Sequence, residues 1–428
     1  MPATSPPPRA QPWGLPFQAF AGLLVCALLT ALPVPSAGFW PRAYLANLPM
    51  PTLAAWNAPD AAPLSPVAMT AGVGGYLETG CPAPQVPRAL AELEKLPVQW
   101  VRNEIPWAGV EPVRGQYEWE RWDRVVNGLR ARDFQILGAL CYWNNWVDRY
   151  SDAGIEEFGR YAERVARRYR GSVAAWEIWN EPNEATFWQS TPERYVLLMR
   201  AAYQGVKRGN PDAVVVGGSL SGADLTYLRK LLRLGALQWM DVLAIHPYSF
   251  GWAPEDARLI AELRGIAAEM RRAGGSDQLW VTEIGIGISG EAKQARLLER
   301  TWALLQQSGV VSHAFWYTLY VADDGAYPLY RADWTPKRAV QSFQRVAGQL
   351  KAAKAAGSAL PADLQVPWAS GNPQALSPLQ VWRFERGAEI KRLSWCPGGW
   401  VTVPDPAVGA PAVFGPQPFY ETLARPSR

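Results

Sequence analysis

A chain of 428 residues, 49% hydrophobic and 19% charged, has the composition of a globular protein with room for a large barrel and a small extra domain. Its net charge of +4 is small for that length and gathers into no basic stripe, which argues against a nucleic-acid partner. Two histidines, and four cysteines at 26, 81, 141 and 396 without ligand spacing, argue against a metal centre, and no cofactor motif is found.

Residues 1–37 read as an export leader. Arg9 is the only charge before an apolar run at 17–34, and Pro35-Ser36-Ala37-Gly38 supplies small residues for cleavage. The run is short for a spanning helix of about 20 residues. Membrane attachment through residues 17–34, uncleaved, is the alternative; either way the rest of the chain is expected to be secreted or extracytoplasmic. Residues 38–66 hold six prolines and read as a linker.

From 67 the pattern changes. Strands are expected at 69–76, 98–102, 135–141, 174–179, 213–217, 242–245, 279–282 and 312–317. Helices are expected near 87–96, 119–132, 155–169, 192–209, 224–234, 256–273, 291–308 and 336–350. In the sixth, Leu259, Ile260, Leu263, Ile266, Ala267 and Met270 recur at helical spacing, and Gly274-Gly275 stops it. Eight strands each followed by a helix specify an α/β fold, a (β/α)8 TIM barrel over 67–350. A doubly wound sheet would place a glycine-rich phosphate turn before its first helix, and Gly72, Gly74 and Gly75 are not followed at once by one. Residues 351–378 read as a connector. Residues 379–428 read as a small C-terminal all-β appendage packed on the barrel, with strands expected to pair around Arg386-Gly387.

Reactive groups in such a barrel sit at the C-terminal ends of strands. Strand four runs through Trp176-Glu177-Ile178-Trp179 into Asn180-Glu181-Pro182-Asn183, and strand seven runs into Glu283. Pro182 is expected to press Glu181 toward extended geometry. Strand two ends at Arg102, strand six runs into His246-Pro247-Tyr248, and strand eight ends at Trp316-Tyr317. Two glutamates facing each other across a barrel mouth suit double displacement at an anomeric carbon. The 22 tryptophans offer flat faces for sugar rings, although many must simply fill the core.

The stretch 176–183 resembles the Trp-x-x-Trp-Asn-Glu-Pro-Asn stretch of clan A retaining glycoside hydrolases. Thr282-Glu283-Ile284-Gly285 resembles their nucleophile stretch. Arg102-Asn103, Trp107-Ala108-Gly109-Val110-Glu111-Pro112, Gly115-Gln116-Tyr117 and Phe315-Trp316-Tyr317 extend the likeness over roughly 70–350, nearest in look to family 39. The resemblance implies that Glu181 is the general acid/base and Glu283 the nucleophile of an exported O-glycosidase. Asn180 would then bind the sugar 2-hydroxyl, Arg102 would keep Glu283 ionised, Tyr248 would donate to it and His246 would line the site. Glu181 would have to start protonated, which a wall of tryptophans would favour.

Duller roles stand beside these. Arg102 neutralising Glu177 instead is the alternative for that residue, a satisfied core position that for His246, and packing that for Tyr248. Trp316 is expected to floor the sugar subsite or to be plain core. Trp143, in the loop Tyr142-Trp143-Asn144-Asn145-Trp146, is expected to form an outer subsite or to pack within its own loop. Glu111 is expected to be structural. A catalytically inactive carbohydrate-binding barrel serving polysaccharide export or assembly is the second reading, and damage to a site residue would favour it.

Overall fold

The computed structural model describes residues 69–248, 259–287, 290–322, 325–352, 354–355, 380–386, 389–395, 401–405, 410–414 and 419–423, with the backbone alone beyond Leu350. The expected leader with its apolar run at 17–34, the linker 38–66, nearly all of the connector, Cys26 and Cys396 lie outside the described residues.

Eight parallel strands close into a barrel in chain order. They are β1 (Thr70–Gly74), β2 (Trp100–Glu104), β3 (Gln135–Leu140), β4 (Ala175–Ile178), β5 (Val214–Ser221), β6 (Val242–His246), β7 (Leu279–Ile284) and β8 (Val311–Trp316). Each is followed by a helix: α1 (Val86–Leu93), α2 (Trp119–Arg130), α3 (Asp152–Arg168), α4 (Pro192–Gly209), α5 (Leu225–Arg233), α6 (Leu259–Arg272), α7 (Glu291–Ser308) and α8 (Arg338–Ala352). The expected (β/α)8 barrel is the fold.

Local chemistry sets the helix ends. Ser151 caps α3 by accepting from the Gly154 N–H at 3.0 Å, and Thr191 followed by Pro192 starts α4. Gly274 follows α6 at φ 82°, a left-handed turn that a side chain would resist. On α6, Leu259, Leu263, Ile266, Ala267 and Met270 are buried, as their spacing requires.

Inside the barrel, Leu137, Ala175, Val216, Val242, Ala244, Trp280 and Phe315 form a compact core. Trp100, Trp280, His313 and Phe315 pack edge to face or tilted within it. Gly138 makes room for Trp176 of the next strand, since a Cβ there would lie 2.4 Å from the indole.

β5 runs further than its sequence suggests. Gly217-Gly218 reads as a break, but the pairing with β6 shifts between Gly217 and Leu220, and the strand continues to Ser221. This bulge, with Gly218 at φ 85° and Ser219 at φ 48°, turns the Ser219 hydroxyl toward Glu177.

After the barrel come β9 (Lys354–Ala355), β10 (Gln380–Arg386), β11 (Glu389–Trp395), β12 (Val401–Asp405), β13 (Ala410–Phe414) and β14 (Phe419–Leu423). β10 and β11 pair antiparallel around 386–389 in a sheet ordered β14-β11-β10-β9, and β12 pairs with β13. Every described residue of the C-terminal appendage from 380 onward lies in a strand.

Candidate active site

β4 stops at Ile178 and the chain turns sharply. Trp179 and Glu181 have φ of 69° and 44°, so Glu181 is not in the extended geometry expected before Pro182. Tertiary contacts override the proline: the Glu181 N–H donates to the Ser219 carbonyl at 2.9 Å, and the side chain meets His246. Such backbone costs roughly 1–3 kcal/mol and persists only where its surroundings enforce it.

Arg102 organises the mouth. It is 1% exposed and donates from Nε to Glu177 Oε2 at 2.5 Å and from Nη1 to Glu283 Oε1 at 2.6 Å. Both readings of Arg102 are therefore met at once. Tyr76 donates to the same Glu283 oxygen at 2.7 Å and accepts from Arg102 at 2.5 Å. Tyr248 donates to Glu283 Oε2 at 2.8 Å. Glu177 also accepts from Ser219 at 2.8 Å.

These contacts set the charges. Burial works against ionising Glu283, but Arg102, His246 and the two tyrosine hydroxyls outweigh it and hold its pKa below the usual carboxylate value. Glu177, fully buried, is held at about 2 against the same burial penalty by Arg102 and His246. Burial alone would keep His246 neutral. Glu283, Glu177 and Glu181 reverse that and raise it to about 9, so the imidazole is cationic at neutral pH.

His246 Nδ1 lies 2.9 Å from Glu181 Oε1, and Nε2 lies 3.0 Å from Thr282 Oγ1. Glu181 thus faces an imidazolium rather than the expected wall of tryptophans. An oxygen of Glu181, an oxygen of Glu283 and a ring nitrogen of His246 all lie within 4.8 Å of one another. Three such atoms could also hold a cation. The donors already aimed at Glu283 from Arg102, Tyr76 and Tyr248 place positive charge beside that position, which suits an anion-bearing carboxylate better than a metal.

Of the residues anticipated from sequence, Arg102, Glu181, His246, Tyr248 and Glu283 form one connected cluster. Asn180 adjoins it, buried, with no side-chain partner among the described residues. Trp316 is corrected: it is fully buried in the large core with an enclosed indole nitrogen, out of a sugar's reach. Alternation along β8 turns Phe315 into the barrel, so the next residue toward the mouth on that face is Tyr317, whose ring meets Tyr76 and Tyr248. Trp143 is corrected likewise. It packs against Tyr150, Phe158, Trp179 and Trp188, and the loop is pinned where Asn144 and the Trp146 indole donate to the Glu111 carbonyl.

Glu111 has the structural role expected of it: its carboxylate accepts from the Trp107 indole, the Gly115 N–H and the Tyr117 hydroxyl. Sequence reasoning missed Tyr76, Ser219, Thr282 and Tyr317. The rule of strand ends reaches Tyr76, which stands two residues past β1. Ser219 depends on a bulge that its glycines disguised.

The family model described as glycosyl hydrolase family 10 matches residues 94–196, a segment that carries Arg102 and Glu181 and stops short of Glu283. The chain resembles glycoside hydrolases. An endo-1,4-beta-xylanase A from Phanerodontia chrysosporium is 25% identical over 122 residues, which cover 26% of this chain and 30% of the xylanase. The chain thus spans about a third of the length of that curated relative. A family 39 glycoside hydrolase from Bacteroides cellulosilyticus shares the fold at TM-score 0.67 and 20% identity, over 85% of this chain and 81% of that one. A family 39 enzyme from Xanthomonas axonopodis pv. citri does so at TM-score 0.56 and 16% identity, over 81% of this chain and 74% of its own. The likeness to clan A glycoside hydrolases read from the sequence is borne out by these matches, and the nearness to family 39 is borne out at the level of the fold.

Proposed function

We propose that this chain is a retaining O-glycosidase acting on β-linked oligo- or polysaccharides of the xylan type. The observation that carries the reading is the approach of Glu181 and Glu283 to within 4.8 Å across the barrel mouth. Retaining enzymes hold their carboxyl groups about 5–5.5 Å apart, whereas inversion needs about 6.5–9.5 Å to admit a water. Similarity to an endo-1,4-beta-xylanase supports xylan as the first polymer to test.

In this reading the Glu283 carboxylate attacks the anomeric carbon while the bond to the leaving oxygen breaks. Glu181 passes that oxygen a proton, and a covalent glycosyl ester remains on Glu283. Arg102, Tyr76 and Tyr248 keep Glu283 ionised and aimed. Asn180 meets the sugar 2-hydroxyl, an interaction that strengthens in the oxocarbenium-like transition state. Glu181 shares a 2.9 Å contact with His246, which orients its carboxyl group for that transfer. With that proton spent, Glu181 accepts one from water as water attacks the ester, and Glu283 leaves as a carboxylate.

The apolar run at 17–34 supports export, by cleavage or with membrane attachment. Glu181→Gln tests the assignment. Turnover of unactivated substrates should fall at least about a thousandfold while binding persists, and azide should restore activity on activated aryl glycosides. Full activity in Glu181→Gln would refute the mechanism.

A further inference from the structure

Glu104 has no part in the chemistry above, yet it stands in the mouth. It is the last residue of β2, two beyond Arg102, and so projects to the same face about 6.6 Å nearer the opening. That face is the barrel interior, since Arg102 reaches Glu177 and Glu283 from it. Glu104 is only 6% exposed, but no hydrogen bond or ion pair engages its carboxylate among the described residues. A buried carboxylate without a partner costs several kcal/mol unless a ligand or water completes it.

Its surroundings are polar and share one geometry. The Tyr76, Tyr142 and Tyr317 hydroxyls, from the ends of β1, β3 and β8, all lie close enough to sense its charge. Tyr76 also touches Glu283. The buried Thr79 hydroxyl lies near enough to Glu104 to lower its pKa and has no other partner among the described residues. A carboxylate so sparsely engaged in the barrel mouth is a receptor for a group that donates. Adjacent ring hydroxyls of a neutral sugar are such donors.

We infer that Glu104 is a specificity-determining residue that accepts hydrogen bonds from the hydroxyls of a neutral sugar held beside Glu283, and that it rejects uronic acids. The inference rests on the glycosidase reading of the same site and narrows it. A sugar carboxylate placed here would confront Glu104 and Glu283 together in a water-poor pocket, and two like charges at close range cannot both stay ionised. Burial pushes Glu104 up to about 7, with Arg102 opposing and Glu283 and Glu177 adding to the rise. Hydroxyl donors favour the ionised form, so neutral glycosides should bind more tightly as pH rises through 7.

The test compares 4-nitrophenyl β-xyloside and 4-nitrophenyl β-glucuronide as substrates of the full chain and of Glu104→Gln and Glu104→Asp. The wild type should prefer the xyloside at pH 7, with KM falling as pH rises through about 7. Glu104→Gln should raise KM about 10- to 100-fold, the cost of a hydrogen bond to a charged group, change kcat by only a few-fold and flatten the KM–pH profile. Glu104→Asp, which keeps the charge and withdraws it by one methylene, should raise KM yet keep that pH dependence. An unchanged KM and pH profile in both variants overturns the inference, as does glucuronide turnover matching the xyloside at pH 7. Labelling of Glu283 by an activated fluoro-sugar in Glu104→Gln separates the two claims: label with unchanged KM refutes the role of Glu104 alone, whereas no label in any protein, wild type included, refutes the glycosidase reading and this inference with it.

Discussion

His246 Nδ1 lies 2.9 Å from Glu181 Oε1, and the histidine is raised from its ordinary value of 6.5 to about 9. In the proposed mechanism this imidazolium sits against the acid/base Glu181, and its deprotonation should set the basic limb of the kcat/KM profile near pH 9. His246→Gln should lower kcat about 10- to 100-fold and move that limb toward acid, read from pH–rate profiles of both proteins.

The same shift couples to folding. A base whose pKa rises on folding contributes stability that is complete below about 6.5 and is lost as pH rises through about 9. Glu177 runs the other way: held at about 2 against an ordinary 4.5, it contributes above 4.5 and ceases to as pH falls through 2. Denaturant titrations should place maximum stability from these two groups between about pH 4.5 and 6.5. In His246→Gln the decline between pH 6.5 and 9 should shrink.

Arg102 serves two buried carboxylates, through Nε to Glu177 at 2.5 Å and through Nη1 to Glu283 at 2.6 Å. Arg102→Met should destabilise by about 3–5 kcal/mol, because it strands buried charge. Arg102→Lys should recover little, since an ammonium cannot reproduce the two-pronged geometry. Urea midpoints measure the first effect and turnover the second.

The tyrosine hydroxyls on Glu283 predict a graded series. Tyr76→Phe and Tyr248→Phe should each lower kcat about 10- to 100-fold, as expected for losing one hydrogen bond to a charged group of about 1.5–3 kcal/mol. Both should move the acidic limb upward, because each hydroxyl lowers the Glu283 pKa. An acidic limb that stays put in both variants would show that neither hydroxyl steadies the charge of Glu283.

How much of this was legible before the structure differs by residue. The barrel was, because eight apolar runs alternate with amphipathic helices and every strand is bounded by turns or caps. The placement of Glu181 and Glu283 at the mouth was, because each stands where an apolar strand ends. The backbone of Glu181 was not: the preference set by Pro182 is local, and the contacts with Ser219 and His246 overrule it. Trp316 was misjudged by one position, and in a strand one position exchanges the interior face for the other. Tyr317, its neighbour, joins Tyr76, Tyr248 and Tyr327 at the mouth. Ser219 was hidden by the bulge at Gly217-Gly218, which reads as the end of a strand.

The central claim is that Glu283 carries the glycosyl group, and trapping it is the most direct measurement. An activated 2-deoxy-2-fluoro-β-xyloside should inactivate the enzyme stoichiometrically, and peptide mapping by mass spectrometry should find the sugar ester on Glu283. Label on a different residue of an active enzyme, or a product of inverted anomeric configuration by NMR, would contradict the account.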